Sequence, residues 1–125
     1  MTVLKVLELF DSETENDISV EMKKRWISEL DMKISCELNK NRQGLLTESY
    51  TPSKSDETEL LAVDEYAEIY VAYLRMKMNY ILSETERYNN SAAIFNRLYY
   101  EFANYISRNF KYDSSNSVKV ELNDV

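Results

Sequence analysis

The side chain that most often moves protons in proteins is missing from this chain of 125 residues: it has no histidine. Ser-His and Cys-His nucleophile pairs are thereby excluded, as are zinc and di-iron sites built on Glu-x-x-His. What remains for chemistry is carboxylates, one thiol and ten tyrosines. Glu65 with Glu68, and Glu84 with Glu86, lie in segments rich in opposite charge. That pattern suits solvated helix faces and i,i+4 pairs better than a carboxylate metal site. A single glycine leaves no phosphate-cradling loop. Cys36 has apolar neighbours on a helical stretch, so it reads as a buried thiol rather than a nucleophile. Tyrosines can stack bases, but here they lack interleaved Lys and Arg. They suit a protein interface, where tyrosine supplies area at little entropic cost and keeps a polar tip. No catalytic, cofactor-binding or metal-binding residue is expected, and the chain does not read as an enzyme.

Composition narrows the class further. The length suits one domain with a core that needs no staples. The apolar fraction of 44% and charged fraction of 30% are those of a globular protein. One Gly and one Pro cannot furnish the frequent turns of a strand-rich fold, so an all-α fold of long helices is expected. A lone cysteine rules out an internal disulfide framework. No signal peptide or membrane-spanning run is evident, and a cytoplasmic origin follows by default. The net charge of −7 disfavours wrapping nucleic acid. Lys23-Lys24-Arg25, the nearest thing to a basic cluster, reads as a solvated helix edge.

The elements that must position these residues follow from periodicity. Residues 1–17 form an N-terminal arm, an apolar Val3–Phe10 followed by a polar stretch; its length leaves helix and strand both open. A helix is expected over about 19–40, capped by Asp17 or Ser19, with Met22, Trp26, Leu30, Ile34 and Leu38 on one stripe and Ile27 beside it. Met32 and Cys36 form a second apolar pair on another side. Residues 39–58 read as a long polar loop holding Gly44 and Pro52, with Leu45, Leu46 and Tyr50 as anchors.

From Asp64 to Phe110 there is neither Gly nor Pro. One apolar stripe keeps a three-to-four spacing through Ala67, Val71, Leu74, Met78, Ile81, Tyr88, Ala92, Phe95, Tyr99, Phe102 and Ile106, with Thr85 holding the place between Ile81 and Tyr88. A second, Tyr66, Tyr70, Tyr73 and Tyr80, lies beside it and continues as Ile94, Leu98 and Tyr105. A single helix of this length would span about 70 Å. Two helices are therefore expected, about 64–88 and 91–110, broken at Asn89-Asn90-Ser91 because Asn and Ser cap well. Residues 112–125 read as a flexible tail, though the alternating Val118–Leu122 could also add as a strand to a sheet edge. The helical domain thus covers 18–111, a bundle of three main helices.

Four local signatures carry a family resemblance: Arg25-Trp26-Ile27-Ser28-Glu29-Leu30-Asp31; Thr58-Glu59-Leu60-Leu61; Tyr66 through Leu74; and Glu84-Thr85-Glu86-Arg87-Tyr88-Asn89-Asn90 followed by Phe95-Asn96. In this order, over about residues 19–110, the chain resembles small virion proteins of tailed phages and prophages of Gram-positive bacteria, similar to head–tail connector (head-completion, DNA-packaging adaptor) proteins. It departs from them after Leu61, where Ala62-Val63-Asp64 stands in place of a proline-containing turn. The resemblance implies an all-α virion structural protein that assembles as a homo-oligomeric ring of about twelve beneath the portal. Tail-completion proteins would dock below and DNA would pass through the channel without sequence-specific binding. It would be made in the host cytoplasm and end in the virion neck.

Ring contacts are heterologous, so one face must meet a different face of the next subunit. Met32, Cys36, Tyr66, Tyr70, Tyr73 and Tyr80 are the candidate interface. Two alternatives stay open at this point. Both stripes of 64–110 can be consumed inside one chain, as in the central helix of a bundle. The protein can also be a soluble helical adaptor or regulator unconnected with virions.

Overall fold

A computed structural model describes the backbone of residues 1–41, 48–113 and 119–122. The segment expected as an arm opens on helix α1 (Val3–Glu13), whose first turn is capped by the Thr2 hydroxyl, which accepts from Lys5 N at 3.1 Å. Val3, Val6, Leu7 and Phe10 recur at helical spacing and are buried. Two of its orphan N-terminal donors are satisfied from the loop: Val3 N donates to Thr58 O and Leu4 N to Asp56 O. The arm is thus part of the core, because its four apolar side chains find a covered face.

Helix α2 (Val20–Asn41) starts where expected, with Ser19 Oγ accepting from Met22 N at 3.2 Å. Trp26, Ile27, Leu30, Ile34 and Leu38 are buried and Met22 partly so. Lys23 departs from the solvated-edge expectation. It is buried, its ammonium 2.7 Å from Asp11 Oδ1 and over the Phe10 ring. Lys24 is paired with Asp56, while Arg25 faces solvent.

The second half of the expected loop is built into the fold. Tyr50 is a core residue, as its anchor role required, and Leu60 and Ala62 are buried with it. Leu45, Leu46 and Gly44 lie outside the described residues. After a short 3₁₀ turn at Asp64–Tyr66, helix α3 (Glu68–Ile81) runs through the centre of the molecule, packed on α1, α2 and the next helix. It buries Ile69, Tyr70, Val71, Ala72, Leu74 and Met78, more than one face.

The break between the last two helices is at Leu82-Ser83-Glu84, not at Asn89-Asn90-Ser91. Helix α4 (Thr85–Asn109) passes straight through the asparagines. Glu84 N donates to Asn79 O and Ser83 N to Tyr80 O, both at 3.1 Å, closing a Schellman turn with Ser83 at φ 57°. Asn89 and Asn90 are exposed, so neither has a capping task. Ser91 is buried: its hydroxyl donates to Arg87 O and accepts from Asn79 Nδ2 at 3.0 Å, riveting α4 to α3.

The chain therefore has four α-helices where three were expected, in an all-α body. The tail also differs. Strands β1 (Phe110–Asp113) and β2 (Lys119–Leu122) pair antiparallel, Phe110 opposite Leu122 and Asp113 opposite Lys119. The alternating segment has found its partner strand within the same chain.

Candidate functional site

The first two signatures meet at Asp31. One turn below Ile27 on the inner side of α2, this residue is fully buried, and its carboxyl group gathers three donors. Oδ2 accepts from Tyr50 N at 2.8 Å; Oδ1 accepts from Leu61 N at 3.0 Å and from the Tyr70 hydroxyl at 2.6 Å. The Tyr70 oxygen in turn accepts from Ala62 N at 3.1 Å, and Ser28 Oγ donates to Tyr50 O. A buried carboxyl group is tolerated when its oxygens are saturated in this way. The cluster ties the 48–63 segment to α2 and α3, and Trp26 and Leu30 of the same signature are buried core residues. Glu59 and Leu60 continue the tie: Leu60 N donates to Met1 O, Glu59 bridges Thr2, and its carboxylate meets the Met1 amine at 2.9 Å. This is an architectural junction.

The tyrosine stripe does not act as one surface. Tyr70 is 1% exposed and belongs to the Asp31 junction. Tyr66 packs at a tilt against Phe102 and Tyr105, Tyr73 against Phe95, and Tyr80 against Tyr88, with ring centroids 4.9–5.7 Å apart. As the number on α3 rises the partner's number on α4 falls, the mark of an antiparallel hairpin. Tyr66 and Tyr73 are covered by α4 and Tyr70 by the Asp31 junction of the same chain, the central-helix alternative, while Tyr80 stays largely exposed. Burial raises the Tyr70 hydroxyl well above the ordinary tyrosine range, aided by the Asp31 charge. Tyr73 is raised by burial and by its hydrogen bond to Glu29.

Exposed apolar side chains include Val20, Ile94 and Tyr100, and two of the exposed places hold residues expected at an interface. At the α3–α4 turn, Tyr80 (65% exposed), Ile81 (46%) and Leu82 (51%) face solvent together. Beside them Tyr80, Ser83, Glu84, Thr85, Tyr88 and Asn89 line an open cleft of about 400 Å³. Glu84, Tyr88 and Asn89 of the fourth signature therefore gather here, with Glu84 paired to Arg87 at 3.0 Å. Phe95 is buried beneath Tyr73, and Asn90 and Asn96 are on the outer side of α4.

The second place is the flank of α2. Met32 is 55% exposed, and Cys36, one turn further on, is exposed too, against the expectation of a buried thiol. Ile34 and Leu38 take the core positions and leave Cys36 on the outer side. Lys33 lies over the Tyr99 ring at 5.2 Å, which sets this flank beside the middle of α4. From Thr85 to Tyr99 along α4 is about 20 Å at the helical rise, so the two apolar places are separate.

Among the described residues, no group of three His, Cys, Asp or Glu side chains is arranged to hold a metal ion, and no helix is long and apolar enough to cross a membrane. Glu65, Glu68 and Glu86 are exposed. The arrangement offers shape and apolar area. No protein-family model, curated protein or solved structure matches the chain. Of the residues expected at an interface, Tyr80, Met32 and Cys36 are exposed; Ile81 and Leu82, exposed beside Tyr80, were not among them. The signal in the sequence was Ser83-Glu84-Thr85-Glu86, a Ser-x-x-Glu pattern that marks a helix start nearby; in the structure Ser83 closes the Schellman turn and α4 begins at Thr85, seven residues upstream of the expected break.

Proposed function

We propose that the chain is a virion structural protein, a subunit of the head–tail connector ring of a tailed phage or prophage, acting by assembly rather than catalysis. The observation that supports it is the pair of separate apolar surfaces, Tyr80-Ile81-Leu82 at one turn and Met32 with Cys36 on the α2 flank. A closed ring of identical subunits needs two different faces that meet head to tail. Exposed apolar side chains grouped at a turn are the kind of surface that a partner covers. The order of the four signatures, which the resemblance rests on, selects a virion partner over other helical adaptors.

Portal and tail-completion proteins are the proposed neighbours, DNA passes through the channel without being read, and no cofactor takes part. The purified chain is to be mixed with the portal protein of the same phage and imaged by negative-stain electron microscopy. A ring of density stacked on the portal is expected. A chain that leaves the portal bare at high concentration is a helical adaptor of another kind, and the connector reading fails.

A further inference from the structure

Three observations converge on the turn between α3 and α4. The first is backbone strain. Ser83 is the single non-glycine residue with positive φ among those described, at the Schellman position that favours glycine because Cβ crowds the following carbonyl. The second is phase. Apolar positions run from Val71 through Leu74, Met78, Ile81, Tyr88, Ala92, Phe95, Tyr99 and Phe102 to Ile106 in alternating steps of three and four, with Thr85 keeping count across the turn. A helix continued straight through 82–84 would hold them all on one seam. The third is exposure: Ile81 and Leu82 are about half exposed in the folded hairpin, and Tyr80, though its ring meets Tyr88, is 65% exposed.

We propose that α4 exchanges between two copies of this chain. The turn straightens, α3 and α4 run on as one helix, and α4 packs on α3 of the second copy. The occupant is a second copy because only another α4 carries the aromatic face that fits α3. The ring pairs Tyr66–Phe102 and Tyr73–Phe95 and the Asn79–Ser91 hydrogen bond are then remade between chains. The two Schellman hydrogen bonds give way to helical ones and Ser83 returns to the right-handed region. The turn regions of the two copies lie side by side, which covers Ile81 and Tyr80. Short, strained hinge loops are the setting in which such exchange arises. The inference stands apart from the virion reading, since it needs no portal.

The test uses the full chain, refolded at low and at high concentration and measured by light scattering. A dimer formed on concentrated refolding is expected. Ser83→Gly, which relieves the strain of the closed turn, weakens it about tenfold, and Ser83→Ala strengthens it. Spin labels on Glu68→Cys and Ser107→Cys, in a Cys36→Ser background diluted with unlabelled chain, report the geometry within one chain. The exchanged form puts them about 60 Å apart along a straight helix. The hairpin keeps them close, since the Tyr66 and Tyr105 rings are 4.9 Å apart. A dimer that retains the short separation overturns the proposal, as does a labelled chain that stays monomeric at every concentration.

Discussion

Asp31 shows how one side chain can hold three segments. Its carboxyl group accepts from Tyr50 N, Leu61 N and the Tyr70 hydroxyl, so the 48–63 segment cannot leave α2 without stranding polar groups in the core. Removing a buried acceptor costs the desolvation of the donors left behind. Asp31→Ala is expected to lower stability by about 3–5 kcal/mol in urea unfolding, and Tyr70→Phe by about 1–2 kcal/mol. A loss below about 1 kcal/mol for Asp31→Ala would show the junction to be ornamental. Tyr70, Tyr73 and Tyr99 also leave a mark on the pH dependence. Burial is the leading cause that raises each, with Asp31, Glu29 and Glu37 as the respective carboxylates nearby. A group whose folded pKa lies above its unfolded value of 10.0 contributes stability that is complete below pH 10 and fades as pH rises towards the folded value. In an alkaline titration followed at 295 nm, these three should ionise only as helicity is lost. Titration of all ten tyrosines near their ordinary value, in a chain still helical by circular dichroism, would contradict that assignment.

Among the elements, α2 was readable because its cap, its period and its lack of breakers agree: Ser19 bonds Met22 N, and Trp26, Leu30, Ile34 and Leu38 face inward. The α3–α4 junction was not, because two signals disagree there. Asn89-Asn90-Ser91 has the composition of a cap, whereas Leu82-Ser83-Glu84 turns with a serine in a conformation that serine seldom adopts. Tertiary packing decides the matter. A break at residue 90 would shorten the α4 seam and strand Tyr88 away from Tyr80, while a break at 83 brings Phe95 to Tyr73 and Phe102 to Tyr66. Asn90→Ala therefore changes stability by less than about 0.5 kcal/mol, since the residue is exposed in mid-helix; a true cap would cost about 1 kcal/mol. Phe102→Ala, by contrast, should cost about 3–5 kcal/mol because it leaves a cavity beneath Tyr66 and Tyr105. Chemical denaturation of both variants separates the two placements of the break. The sequence-level doubt about α1 has a similar origin. Eight apolar-rich residues fit helix or strand until Val3, Val6, Leu7 and Phe10 are seen to share one buried side.

For the molecule as a whole, the question was whether two apolar stripes on one segment mean a surface for other chains. Most of the tyrosine stripe answers no: Tyr70 is buried in the Asp31 junction, and Tyr66 and Tyr73 are covered by α4. Periodicity counts apolar positions but cannot assign the element that covers them, and a central helix and an assembly helix look alike in one sequence. What is left over is scattered: Tyr80, Ile81 and Leu82 at the turn, Met32 on α2, Ile94 and Tyr100 on the outer side of α4, and single positions such as Val20. This partition has a direct consequence for substitution. Tyr70→Asp with Tyr73→Asp puts a charge into the core and should abolish folding, seen as lost helicity and an open chain by size exclusion. Ile81→Asp with Leu82→Asp changes only exposed side chains, so helicity and thermal midpoint should stay within a few degrees of the parent. If the connector reading holds, that second pair prevents stacking on the portal while the monomer remains intact. Equal assembly of the Ile81→Asp, Leu82→Asp protein and its parent would move the interface off the turn and leave the α2 flank, around Met32 and Cys36, as the surface to alter next.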